Sequence, residues 1–170
     1  KGRTEATGRG VVIAIRECVS VAEDMKRLGL TTGLSGKRVI VQGLGNVGYH
    51  TAKFLVEFGA TVVGICEYEG SIYNESGLDV EAAVRHRKET GSILGFKGAK
   101  KEFKNSAQGL EQACDILVPA ALENQITEDN VARIKAKIIA EGANGPTTPG
   151  AAAAFIKNGG IIIPDMYCNA

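Results

Sequence analysis

Apolar residues recur at spacings of three and four through Val11, Ile15, Cys18, Val19, Ala22 and Met25, with Arg16, Glu17, Glu23 and Lys26 on the other side. That period predicts one amphipathic helix from about residue 5 to 28, closed by Gly29 and followed by the loop LTTGLSG. The pattern then changes. KRVIVQG is a β-branched run without polar alternation, as expected of a parallel strand covered on both faces. NVGYHTAKFLVEFG returns to helical spacing, with Val47, Thr51, Phe54, Leu55 and Phe58 sharing a face and Gly59 at its end.

The alternation repeats along the rest of the chain. TVVGICE, CDILVPA, KIIAEGA and IIIPD are further buried strands. LDVEAAVRHRKETG, TEDNVARIKA (opened by a Thr127 cap) and TPGAAAAFIKNGG (Thr148 cap, Pro149 in its first turn) are helices. SIYNESG reads as a hairpin-like excursion, and residues 92 to 106 hold a short extra strand. Strands regularly separated by helices imply right-handed βαβ units. The expected fold class is therefore α/β, a Rossmann-like, doubly wound, mostly parallel sheet with helices on both faces, and residues 1–170 form one dinucleotide-binding domain that includes the N-terminal helix.

Composition narrows the partners. The 170 residues carry a formal net charge of +1, which gives no reason to expect nucleic acid or an anionic membrane surface. No apolar run approaches the roughly 18 residues of a membrane span. Cysteines at 18, 66, 114 and 168 show no CxxC spacing, so no metal site is expected, and three of them lie in apolar runs as reduced core thiols. The chain starts without Met, and a piece of a longer protein is expected.

The chemistry concentrates at strand ends. Gly43-Leu44-Gly45-Asn46-Val47-Gly48 is a GxGxxG between a buried strand and an amphipathic helix, with Glu67 about 20 positions further at the end of the next strand. Gly43 permits the tight turn, Gly45 leaves the backbone open to a pyrophosphate, and Gly48 lets the helix approach the sheet. A carboxylate at 67 suits the ribose hydroxyls of NAD and repels a 2′-phosphate, though Glu69 competes for that role. The basic run Arg85-His86-Arg87-Lys88 keeps NADP possible, but at helical spacing beside Glu81 and Glu89 it reads as a solvated face. Pro119, Ala120 and Ala121 follow another strand and border the same cleft, either as a plain turn or as a place for a nicotinamide ribose. His50 and His86 sit on helices, in surface or packing roles. No catalytic acid or base is apparent, and an adenosylmethionine site remains a rival for the glycine turn.

RTEATGRGV, VQGLGNVG, GSIYNESGLD, GSILGF, DILVPAALENQI, KAKIIAEGANGPTTP and IIPDMYCNA together resemble the glutamate dehydrogenase group of the Glu/Leu/Phe/Val dehydrogenase family, in its nucleotide-binding domain. The resemblance implies that Asn46 and Val47 line the pyrophosphate and that Glu67 holds the adenosine ribose. It places Ala120, Ala121 and Gln125 at the nicotinamide half, and Asn144 and Asn169 against the nicotinamide ribose or the amino acid. Arg3 would reach the substrate and Thr7 the carboxamide. Tyr68 stands where relatives often have a small residue.

By the same resemblance, the catalytic lysine and aspartate belong to an N-terminal domain, and C-terminal helices follow, both outside these residues. The implied reaction is reversible oxidative deamination of L-glutamate to 2-oxoglutarate and ammonia, in a cytoplasmic (or, in a eukaryote, mitochondrial-matrix) homo-hexamer, with this piece binding cofactor without turnover. A leucine, phenylalanine or valine dehydrogenase domain, or a non-catalytic NAD-binding module, are the alternatives.

Overall fold

The computed structural model describes the backbone of residues 2–165 and side chains from residue 5 to 165. Seven strands form one sheet: β1 (Arg38–Gln42), β2 (Thr61–Glu67), β3 (Gly70–Tyr73), β4 (Lys101–Phe103), β5 (Ile116–Pro119), β6 (Ile138–Ala140) and β7 (Ile161–Ile163). Their order across the sheet is β4-β3-β2-β1-β5-β6-β7. The pairings β2-β1, β1-β5, β5-β6 and β6-β7 are parallel, whereas β3 and β4 turn back antiparallel at one edge. The mostly parallel α/β sheet expected from the alternation is present, and the hairpin and short extra strand are β3 and β4.

Alternate residues of each strand feed two cores, because successive side chains leave a sheet on opposite faces. Val39, Val41, Ile116, Val118, Ile138 and Ala140 pack under the N-terminal helices. Ile40, Leu117 and Ile139 pack with Ala151 and Phe155 on the other face. The first face is covered by α1 (Gly2–Val19), α2 (Ala22–Leu28), α3 (Asn46–Glu57) and α4 (Val80–Thr90), the second by α5 (Pro149–Lys157) and short 3-10 turns. Asp79 and Thr148 cap α4 and α5 by accepting from Ala82 and Ala151 N–H groups.

Three details differ from the periodicity. The single helix expected over 5–28 is two, broken at Ser20–Val21, where the Ser20 hydroxyl donates to the Glu17 carbonyl. The helix expected in TEDNVARIKA is only a 3-10 turn, Val131–Arg133. There Asn130 Oδ1 accepts from Thr127 N–H at 2.9 Å and Thr127 Oγ1 from Asp129 N–H at 3.3 Å, so local side-chain bonds replace the helical ladder. Phe58 leaves its expected buried face and is 45% exposed, its ring under Arg16 at 4.3 Å.

Candidate functional site

The chain crosses from β1 to β2 on one side and returns to β5 on the other, so the strand order reverses at β1 and leaves a crevice at its carboxyl end. The glycine turn fills that position. Gly43 has φ +93°, its N–H donates to Cys66 O at 2.8 Å, and a Cβ there would stand 3.0 Å from Ala121 Cβ. A Cβ on Gly48 would lie 1.6 Å from the Gly43 carbonyl oxygen. The third glycine therefore serves the turn itself; the sheet residue Val41 would be at an ordinary 3.5 Å. Gly45, in contrast, faces open space and is the N-cap of α3 without any side-chain cap. The first N–H groups of α3 are left to the open side, where an anion is favoured.

Beside this turn, Glu67 Oε2 accepts from Leu44 N–H at 2.6 Å, and among the described residues Oε1 meets only Tyr68 N–H at 3.3 Å. Glu69 accepts from Ile93 N–H at 2.6 Å and from Arg87 through both Nε (2.8 Å) and Nη2 (3.1 Å). The Arg87 fork and these N–H donors outweigh the cost of burial and hold the Glu69 carboxyl down at about 2. Arg87 Nη1 stands 3.5 Å from Glu67 Oε2. The basic run is thus not simply a solvated face: Arg87 is half-buried against two acids, and His86 Nε2 donates to Leu94 O at 2.8 Å. Tyr68 is 96% exposed at the β2–β3 turn.

Across the crevice, Ala120 N–H donates to Gln42 O at 2.9 Å and Gly142 N–H to Pro119 O at 3.0 Å. A Cβ on Gly142 would meet Ala120 Cβ at 3.0 Å and Val47 Cγ1 at 3.6 Å, so β5, β6 and the start of α3 converge here through small side chains. The PAALENQI and GANGPTT segments are zipped together by main-chain bonds: Asn124 N–H to Gly145 O at 2.9 Å, and Gln125 N–H to Pro146 O at 2.7 Å. Gln125 turns its amide inward, its Oε1 accepting from Gln42 Nε2 at 2.8 Å and its Nε2 donating to Glu123 O at 3.0 Å. Its side chain braces the loop, and Ala121 is the exposed member of the pair.

Asn144 is exposed, and among the described residues its amide has no partner. Its loop is tied to the end of β7: Asp165 N–H donates to Glu141 Oε1 at 3.2 Å, and Gly145 N–H to Asp165 Oδ2 at 3.4 Å. Glu141 is only 7% exposed and has no cation within ion-pairing distance among the described residues; burial pushes its carboxyl upward.

Thr7 lies on α1 next to Gly8, where a Cβ would fall 2.7 Å from His50 Cβ. That close crossing packs Gly8, the neighbour of Thr7, against the first turns of α3. His50 Nδ1 donates to Asn46 O at 2.7 Å. The Arg3 side chain and Asn169 lie outside the described residues, as does Cys168. Cys66 and Cys114 are buried and their thiols pushed up, Cys66 to about 12, which keeps them unreactive. No helix among the described residues is long and apolar enough to cross a membrane. The sequence pattern missed the roles of Gly8 and Gln42, read Arg87 within a solvated face, and marked Glu141 only as the carboxylate closing the IIAE strand.

A family model described as Glutamate/Leucine/Phenylalanine/Valine dehydrogenase matches residues 1–170. The chain belongs to the Glu/Leu/Phe/Val dehydrogenase family. Among its curated relatives in this family, a mitochondrial glutamate dehydrogenase of Dictyostelium discoideum is 48% identical over 100% of this chain and 34% of that protein. An NADP-specific glutamate dehydrogenase of Saccharolobus shibatae is 41% identical over 99% of this chain and 37% of that protein. The structure of a hetero-hexameric glutamate dehydrogenase from Thermus thermophilus, in a Leu-bound form, superposes with a TM-score of 0.81 at 29% identity, covering 98% of this chain and 36% of that one. The chain thus spans about a third of the length of these family members.

Proposed function

We propose that residues 1–170 are the Rossmann-like, doubly wound nucleotide-binding domain of a glutamate dehydrogenase. The observation that carries this reading is the open, uncapped start of α3 at Gly45, set at the strand-order reversal, with Glu67 beside it. These residues fit a dinucleotide. The free N–H groups of α3 suit a pyrophosphate, and Gly43, Asn46, Val47 and Gly48 shape its seat. Glu67 Oε1, which among the described residues meets only Tyr68 N–H at 3.3 Å, suits a ribose hydroxyl.

NAD is the cofactor this arrangement favours, and a relative named NADP-specific keeps NADP in view. A nicotinamide held here would supply a hydride acceptor for the α-carbon of L-glutamate. Ala121 and Asn144 border its half of the crevice, Ala120 and Gln125 support them from beneath, and Thr7 stands at the α3 end. Arg3 and Asn169 complete the set toward carboxamide, ribose and amino acid. The share of this domain in catalysis is orientation, which is worth several kcal/mol or more, at roughly the scale of well-positioned systems.

Glutamate is preferred over leucine, phenylalanine or valine because the relatives matched along this whole chain are named for it. The parent protein carries the catalytic lysine and aspartate in another domain, assembles as a hexamer like the Thermus relative, and works in the cytoplasm or, in a eukaryote, in the mitochondrial matrix. Titration of the 170-residue chain with NAD by calorimetry should show binding, while glutamate-dependent NADH production should be absent. Turnover by this chain alone, or no affinity for NAD, would overturn the assignment.

A further inference from the structure

The crevice lies at the carboxyl edge of the sheet. At the opposite, amino edge, a hollow of about 720 Å³ opens between the end of α2, the segment leading into β6 and the turn from α5 to β7. Arg27, Lys135, Lys137 and Lys157 line it, and no acid does among the described residues. The whole chain carries a formal net charge of +1, so four cations around one hollow are a local concentration of charge. Helix ends account for two of them: Arg27 and Lys157 stand in the last turns of α2 and α5, where the dipole favours a cation. They do not account for Lys135 and Lys137, which precede β6. No ion pair to Lys135, Lys137 or Lys157 occurs among the described residues.

The walls of the hollow are fixed, unlike a patch of loose surface charge. Arg27 Nη1 donates to Gly159 O at 2.6 Å and clamps α2 to the α5–β7 turn, while Asp24 stands 3.9 Å from Nη2. Lys137 is pinned by its main chain, its N–H donating to Asp115 O at 2.9 Å and its carbonyl accepting from Ile161 N–H at 3.1 Å. A Cβ on Gly160 would stand 2.3 Å from the Phe155 ring, so the turn packs directly on that ring. Like charges held at fixed walls repel one another, and an anion with several charges relieves that repulsion while the ammonium groups donate to its oxygens. Three unpaired lysines suit three or more negative charges set close together, as along a phosphate chain. We propose that this hollow is a binding site for a triphosphate group, free or carried by a nucleoside, separate from the dinucleotide crevice. Leu28 and Ile134 in the lining offer apolar surface to a nucleoside. The site is independent of which cofactor the crevice takes.

The test is calorimetric titration of the full-length parent protein with sodium triphosphate, in the presence of excess NAD so that the start of α3 is occupied. The native protein should bind with a dissociation constant below about 100 µM at low salt, and raising the ionic strength from about 0.05 M to about 0.2 M should weaken binding several-fold. Lys135→Gln combined with Lys137→Gln should weaken it by about tenfold or more, at an unchanged melting temperature. Lys101→Gln, on the β4 edge of the sheet, should leave it unaltered. Should the double variant fail to fold, the exposed Lys157→Gln decides: a loss of about threefold supports the site and no loss overturns it. ATP in place of triphosphate separates the two sources, tighter binding assigning a nucleoside and weaker binding the free anion. Absence of binding overturns the proposal, as do equal losses from Lys101→Gln and the double variant, or competition between triphosphate and NAD. A protein that binds triphosphate here but no NAD would instead refute the domain assignment and leave this site standing.

Discussion

At the end of β2, Glu67 and Glu69 share the Arg87 guanidinium and accept from the N–H groups of Leu44 and Ile93. At the end of β6, Glu141 and the nearby Asp165 accept from N–H groups, and Glu141 also from the side chain of Thr147, with no cation near Glu141 among the described residues. Both pairs stand on the carboxyl edge of the same sheet, and both hold a loop that faces the crevice. The difference is charge compensation. The β2 corner has a cation for its acids, whereas the β6 corner buries the Glu141 carboxyl with hydrogen-bond donors but no cation among the described residues.

The β2 corner is the easier one to break. Gly48→Ala places a Cβ on the Gly43 carbonyl oxygen, and backbone there has nowhere to go. The expected loss is more than about 4 kcal/mol of stability in denaturant unfolding, together with loss of NAD binding. Gly45→Ala meets open space and should cost about 1 kcal/mol or less, the usual scale for losing a good helix N-cap residue to Ala, yet still weaken NAD binding. Equal effects from the two alanines would mean that the turn is not as close-packed as its geometry indicates.

Smaller effects, and of opposite sign, should appear in acid. The Glu69 carboxyl is lowered from 4.5 to about 2, so its stabilisation is present above its unfolded value and is lost as pH falls from 4.5 toward 2. Glu69→Gln should flatten that limb of a melting-temperature profile. Glu141 is raised, so its folded form is favoured below 4.5 and that advantage disappears as pH rises through the raised value. Glu141→Gln should accordingly raise the melting temperature near neutral pH, by relief of a buried carboxylate that has no cation, and leave it unchanged below pH 4.5. Profiles that move in the same direction would erase the contrast between the corners.

The smallest change in stability is expected at Asn144, whose exposed amide has no partner to lose. Asn144→Ala should leave the melting temperature within the range of an ordinary surface change, under about 0.5 kcal/mol. It should weaken NAD binding by roughly threefold to tenfold, the scale of one hydrogen bond. Unchanged affinity would return the asparagine to a turn role.

Much of this architecture was legible in one dimension because hydrophobic period is set locally. β1, β2, β5 and α3 follow from runs whose apolar spacing admits one solution, and the cap at Thr148 follows from side-chain chemistry within four residues. The failures share a cause. The break at Ser20 and the collapse of the 127–134 helix into a 3-10 turn both come from polar side chains that bond their own backbone, a competition that apolar spacing does not register. Arg87 was misread because its partner Glu69 is 18 residues away in the chain, and a helix-face pattern sees only neighbours three and four residues apart.

The sequence by itself determined the α/β alternation, the glycine turn between a strand and a helix, and the acid that follows the second strand. These depend on interactions within a strand, a helix or a turn, where residue order and spatial order coincide. Only the tertiary structure decided that Gly48 guards the Gly43 carbonyl, that Gln125 braces its loop from Gln42, and that Arg87 is shared between Glu67 and Glu69 while Glu141 has no cation among the described residues. Those are contacts between elements, and their energies depend on burial and on distances of a few ångströms that no local period encodes.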